Sequence, residues 1–283
     1  MVETAGAVPG ATTGELELRI GLSGGKSVAT RQFHAGALKV VRPHYLDDSG
    51  QVYYITANPG GGYVGSDTYR IAVDVEEGAS VLLTDQSATK VYRTPDSCVT
   101  QRIAFRVGAG AVLEYVPDQL ILYRDADFRQ EMRVDLDPAA SAFFTDVVTP
   151  GWSPNGAQFR YRQARLRTEV RVGGKLALVD NLRIAPGEDL EAMRAPTYLG
   201  GRTHFATAIC FDPAVDDALV REVRDAVRAE GGVEASVSAC DAPGFVVRAV
   251  GDRTEELMRA VQAAGNVVRR RVRGQGPIGL RQY

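Results

Sequence analysis

Six carboxylates stand at the polar ends of short apolar runs: Asp67, Asp85, Glu114, Asp118, Asp146 and Asp180. If those runs are strands of a stacked fold, like positions on successive rungs fall in a line. A file of single oxygen ligands is the chemistry that passes a hard or borderline divalent cation from site to site. Carboxylates at strand ends also satisfy turn backbones and keep sheet edges soluble, and spacing alone favours that second reading. The segment NPGGGYVGSD, 58–67, is the densest glycine cluster. It reads either as a multi-turn loop whose backbone Asp67 holds, or as a binding loop on a rigid scaffold. In TDQSATKVYRTP, 84–95, the residues Thr84, Gln86, Thr89 and Lys90 either line a polar channel or form a solvated turn.

Other chemistries lack their residues. Three histidines (His34, His44, His204) show no metal-ligand spacing, and no HExxH, CxxC or GxSxG motif occurs. GLSGGKS, 21–27, has a phosphate-loop look, but Ile20 stands where the first glycine of that motif belongs. An alternating segment follows it, so a hairpin is expected. Cys98, Cys210 and Cys240 are odd in number and far apart, which suggests a reduced protein with cysteines as apolar filler. The start of the chain has neither a basic region nor an apolar run, and no apolar stretch is long enough to span a bilayer. A cytoplasmic location is therefore expected.

The elements that must position these groups are mostly strands. The 283 residues are 45% hydrophobic and 24% charged, with 33 basic against 35 acidic residues. That balance excludes a polyanion-binding chain. Residues 1–13 read as a loose tail, and 14–205 as a β-rich body. In the body an alternating strand, a small-residue turn and a short apolar strand ending in a polar residue recur roughly every 30 residues. The four copies are YRIAVDV–VLLTD, TQRIAFRV–VLEYVPD, RQEMRVDL–AFFTD and RLRTEVRV–LALVDN. Stacked units of this kind bury together what one cannot bury alone. Residues 206–283 form a small α/β layer packed on the body. Its first helix starts at Asp212-Pro213 and stops at Gly231-Gly232; its second runs from about Thr254 to Ala264. Asn266–Val272 reads as a strand, which would place Arg269, Arg270 and Arg271, with Arg273, on a solvated edge.

In order along the chain, ALKVVRPHYL, NPGGGYVGSD, LLTDQSATKVYRTP, VLEYVPDQLILYRDADF and FFTDVVTPGWSPNG closely resemble the UreD (UreH) urease accessory proteins. The resemblance runs from about Glu15 to the closing LRQY. It implies a mainly β, solenoid-like fold with two helices. It also implies a non-catalytic scaffold that binds urease apoprotein and UreF- and UreG-type accessory proteins and helps deliver Ni²⁺ to the urease active site. No tightly bound cofactor is implied, only transient Ni²⁺, and neither nucleic acid nor membrane is a partner. The family's glycine motif falls on Gly60, Gly61, Gly62, Gly65 and Asp67, and its T-x-Q-x-x-x-K-x-Y motif on Thr84, Gln86, Lys90 and Tyr92. The motif after Val116-Pro117 supplies Asp118 and Ile121. Asp67, Thr84, Gln86 and Asp146 are the candidate metal-contacting or passage-lining residues. Where many family members carry Gly-Arg and Gly-Glu pairs, this chain reads GWSPNGAQF. The competing reading is a metal-dependent hydrolase on a β scaffold, using His44 or His204 with aspartates. A sugar-binding module ranks last, because one tryptophan and 7% aromatic residues offer few stacking platforms.

Overall fold

The computed structural model describes residues 12–187, 193, 195–196 and 198–280. The expected N-terminal tail lies, up to residue 11, outside the described residues. Thr13 is already anchored, its amide donating to the Thr68 carbonyl at 2.8 Å.

The alternation between Gly14 and Ser23 makes β1, and the segment Lys26–Gly36 returns antiparallel beside it as β2. Gly24 and Gly25, both at positive φ, supply the two-residue turn, of the kind such a hairpin needs. The phosphate-loop look-alike is therefore a hairpin, as expected. Then come β3 (Lys39–Val40) and β4 (Val52–Ala57).

Three true rungs follow. They are β5 (Thr68–Val75) with β6 (Ser80–Asp85), β8 (Val99–Val107) with β9 (Val112–Tyr115), and β11 (Asp127–Leu136) with β12 (Ser141–Val148). In each, the first strand stacks in parallel on its counterpart in one sheet and the second does so in the other. The first sheet also holds β1 and β2 at one edge, and β4 extends the second in parallel. The result is a coil of about four turns. Between the rungs run β7 (Thr89–Val91) and β10 (Leu120–Leu122), which pair in parallel and form a narrow third face.

The fourth repeat does not continue the coil. β13 (Gln163–Val172) stacks on β11, but β14 (Lys175–Ile184) folds back antiparallel on β13 within the same sheet. Gly173 and Gly174, both at positive φ, make the reversal. A two-residue glycine turn is a hairpin signal and is too short for a crossover.

The last third reads β15 (His204–Phe211), α1 (Asp217–Ala229), β16 (Val233–Ala239), β17 (Gly244–Gly251) and α2 (Thr254–Arg273). β15 pairs with β12, so the second sheet runs on without a break as β16-β17-β15-β12-β9-β6-β4-β3. Two expectations are corrected here. α1 begins after the cap Asp216, whose carboxylate accepts from the Leu219 amide at 2.8 Å, while Asp212 only closes the preceding turn. The strand expected over 266–272 is the continuation of α2 to Arg273.

Two apolar cores result. One lies between the sheets, with Leu16, Ile71, Leu83, Phe105, Leu113, Phe128 and Phe144 among its residues. The other lies between the outer face of the second sheet and the two helices, with Leu82, Phe143, Val223, Phe245, Leu257 and Val261. Strand side chains alternate faces, so β4, β6, β12, β15 and β17 of the second sheet feed both cores.

That alternation decides the fate of Glu114. Its neighbours in register are Leu82 and Phe143, both of the helix-side core. Glu114 is therefore not in the inter-sheet file expected from its spacing. It is fully buried and meets Arg269 and Arg273, one turn apart on α2. Arg273 Nη2 donates to its Oε1 at 2.6 Å, and Arg269 donates to Oε2. Gln51 ties in at 2.9 Å to both Glu114 and Arg269. The arginine run is thus split by helical period. Arg269 and Arg273 point inward, while Arg270 and Arg271 reach Glu222 on α1 at the surface.

Candidate functional site

Leu83 of β6 and Phe144 of β12 both pair with Tyr115 of β9. Two residues further along, past the end of β9, stand Asp85 and Asp146. Leu83, Tyr115 and Phe144 belong to the inter-sheet core, so Asp85 and Asp146 point into the same interior. Two strand spacings separate their backbones, roughly 9–10 Å. The row continues at both ends: Thr56 pairs with Asp85, Asp146 with Thr207, and Thr207 with Arg248.

The first sheet presents a matching row. Tyr69, Gln101 and Gln130 are neighbours in register on β5, β8 and β11, and all three are buried. They hold the same place in the first three repeats, a polar residue at an inward-facing position. That was the signal in the sequence, and their role was missed there. Gln130 Nε2 crosses to donate to Asp146 Oδ1 at 3.2 Å. The Thr56 hydroxyl donates to Asp85. At the far end Arg248 donates to Asp180 of β14 at 2.6 Å, a contact that joins the two sheets.

Burial sets the electrostatics. It pushes the Asp85 carboxyl up to about 7, against the Thr56 hydrogen bond and with help from the charge of Asp118. It pushes Asp146 to about 7 as well, against Gln130 and with help from Asp180. Burial also raises the Tyr115 phenol, and the charges of Asp85 and Asp146 raise it further. All residues of β12 are buried except Asp146, which keeps accessible surface in mid-strand.

Each end of the row meets a cavity. One of about 30 Å³ is lined by Thr56, Asn58, Gly61, Gly62, Tyr63, Asp85, Gln86, Thr89 and Lys90 among others. It has room for one or two water-sized occupants. The glycine motif and the Thr/Gln/Lys motif thus meet around Asp85. Gly62 is required for this approach: a Cβ there would lie 2.5 Å from the Tyr92 ring and 2.9 Å from the Lys90 carbonyl oxygen. The other cavity, of about 340 Å³, is lined by Leu178, Ser236, Ser238, Cys240, Asp241 and Arg248 among others.

The remaining sequence candidates are placed as follows. Asp67 accepts from the Thr13 hydroxyl at 3.1 Å, the Val64 amide at 2.8 Å and the Tyr69 hydroxyl at 3.0 Å, which ties the glycine loop to the interior row. Gly60 donates its amide to the Asn58 side-chain oxygen at 2.9 Å. Gly65 packs against Thr94 and Ser97. Thr84 faces the helix side of β6, its hydroxyl donating to the Val116 carbonyl at 2.6 Å. Gln86 and Lys90 line the small cavity, and Tyr92 stands outside it. Among the described residues no three His, Cys, Asp or Glu side chains converge on one point, so the carboxylates stand singly along the row. His44 bridges to Tyr53, and His204 sits beside Thr203 with its imidazole lowered by burial; neither lies in the row. Cys210 is buried filler, whereas Cys98 and Cys240 keep exposed surface. No described helix is long and apolar enough to cross a membrane.

A family model described as UreD urease accessory protein matches residues 12–281. The chain is 46% identical over 281 residues to the urease accessory protein UreD of Paenarthrobacter aurescens (strain TC1), covering 97% of this chain and 96% of that one. It is 46% identical to that of Actinomyces naeslundii (96% and 99% covered) and 35% identical to that of Bacillus sp. (strain TB-90), over 96% and 99%. A coil of parallel rungs with its motifs gathered at one mouth, matched from end to end by these relatives, belongs to the UreD family of urease accessory proteins.

Proposed function

We propose that this chain is a non-catalytic scaffold of urease maturation, working in the cytoplasm. In this reading it binds urease apoprotein together with UreF- and UreG-type accessory proteins. Ni²⁺, the cargo, crosses it through the interior row, entering at Asp85 and leaving past Asp146 toward Asp180.

The observation that supports this is the pair Asp85 and Asp146, two inward carboxylates, each two residues beyond a strand partner of Tyr115. Single oxygen ligands hold a borderline divalent cation weakly. Ligands spaced roughly 9–10 Å apart offer the ion one foothold at a time, so no site traps it. Carboxyls poised at about 7 exchange a proton for a cation at little cost. Gln130 and Thr56 keep the carboxylates in place without competing as strong ligands.

The role is tested by co-expressing the urease subunits and accessory proteins with and without this chain, then isolating urease and measuring its metal. Nickel-deficient urease without the chain, and co-purification of the chain with its partners, is the expected result. Full nickel loading without it overturns the reading.

A further inference from the structure

The narrow third face of the coil carries an apolar stripe that the interior row does not use. Tyr63 pairs with Val91, Val91 with Leu122, and Tyr123 with Trp152. One residue beyond the first two pairs, Val64, Tyr92, Tyr123 and Trp152 therefore occupy one register position on successive turns. The residues just before them, Tyr63, Val91 and Leu122, are buried at 5%, 0% and 1% exposure. Those in the stripe turn outward: Val64 is 52% and Trp152 50% exposed. The rings touch in sequence, Tyr92 to Tyr123 at 4.7 Å and Tyr123 to Trp152 at 4.9 Å between centroids.

Next along the chain on the same face stand Arg93 and Arg124, with side chains 65% and 72% exposed. Both rest on one carboxylate, Asp125, at 3.0 and 3.6 Å. Two guanidinium groups on one carboxylate leave a positive charge uncompensated. The scaffold beneath is stiff: amides of Tyr63, Tyr92, Tyr123 and Trp152 all donate across the turns at 2.8–2.9 Å. Aromatic residues and arginine are the types that carry binding energy at protein interfaces. Presented rigidly, they lose little entropy on binding.

We propose that this stripe docks an amphipathic helix of a partner protein, lying along the stack with acidic residues beside its apolar face. Rungs recur about every 4.8 Å and helical turns about every 5.4 Å, so residues at i, i+4 and i+7 meet successive rings. The carboxylates then face Arg93 and Arg124. Gly62 and Lys90 of the small cavity lie on the neighbouring register positions, so the docked helix sits at the rim of the Asp85 mouth.

The test takes its probes from the maturation reading: purified UreF-type protein and purified urease apoprotein, each titrated separately against the full chain. Two double variants are used, Tyr123→Ala with Trp152→Ala and Arg93→Glu with Arg124→Glu. Trp152, Arg93 and Arg124 are exposed and Tyr123 is half-buried, and an unchanged thermal midpoint verifies the fold. One probe should lose at least about tenfold in affinity to each variant, as truncating an aromatic anchor does. For that probe, binding to the wild type should weaken with salt. Equal affinity of wild type and both variants for both probes overturns the stripe but leaves the maturation reading standing. So does sedimentation showing that the stripe mediates self-association, since a second copy is then its occupant. Failure of the wild type to bind either probe removes the maturation reading and this proposal together.

Discussion

Asp85 on β6 and Asp146 on β12 face the same inter-sheet interior, each two residues beyond a strand partner of Tyr115. Among the described residues neither has a cationic partner at hydrogen-bond distance; each is held by a neutral donor, Thr56 or Gln130. Both carboxyls are consequently pushed up to about 7.

Stability should therefore fall with rising pH. These carboxyls bind protons more tightly folded than unfolded, where they titrate near 4. Between about pH 4 and pH 7 the folded chain holds more protons, so the unfolding free energy declines across that window. Replacing Asp85→Asn and Asp146→Asn together should flatten the decline: a higher thermal midpoint at pH 8, little change at pH 4. Parallel midpoint–pH curves for wild type and variant would contradict this.

Asp180 raises Asp146 through its charge, second to burial among the upward causes. Asp180→Asn should lower the Asp146 carboxyl measurably, read by its carbon chemical shift during an NMR titration. An unmoved titration would place Asp180 electrically remote from the row.

The Glu114 cluster carries a different expectation. Glu114 is fully buried beneath Arg269 and Arg273. Removing one partner of a buried pair leaves uncompensated charge and costs about 3–5 kcal/mol. Glu114→Ala should thus strip that much from the unfolding free energy in urea, while Glu114→Leu combined with Arg269→Met and Arg273→Leu recovers much of it. Loss of less than about 1 kcal/mol in the single variant would mean that the pair is solvated in solution, as surface pairs are.

Gly62→Ala forces a Cβ to 2.9 Å from the Lys90 carbonyl oxygen as well as into the Tyr92 ring. The ring can turn aside but the backbone cannot, so the loop shifts at a cost of about 1–3 kcal/mol. Nickel transfer should drop with it. Wild-type midpoint and transfer would show that the loop has slack.

The coil was legible in the sequence because period-two alternation repeats with its turns. Three of the four repeats are rungs, and Gly61, Gly62, Gln86 and Lys90 of the two motifs line one small cavity with Asp85. What the sequence hid was decided by contacts made elsewhere. The run Asn266-Val267-Val268 looks strand-like locally, but Val267 and Val268 pack in the helix-side core and Arg269 finds Glu114, which keeps α2 helical to its end. Glu114 itself was misplaced by parity: one residue along a strand separates the inter-sheet interior from the helix side. The Gly173-Gly174 turn, by contrast, was a visible hairpin signal that outweighs the likeness of the fourth repeat to the others. Arg248 could not be found from sequence, since nothing local marks a strand residue that bonds across to β14.

The most direct test of the interior row is the metal content of urease matured by the Asp85→Asn, Asp146→Asn chain in a defined mixture of apoprotein, accessory proteins, bicarbonate and Ni²⁺. Asparagine keeps the shape of each site and removes its charge. The account predicts that the variant assembles with its partners as wild type does, yet leaves urease at least several-fold poorer in nickel. Urease filled to the wild-type level by that variant would contradict it.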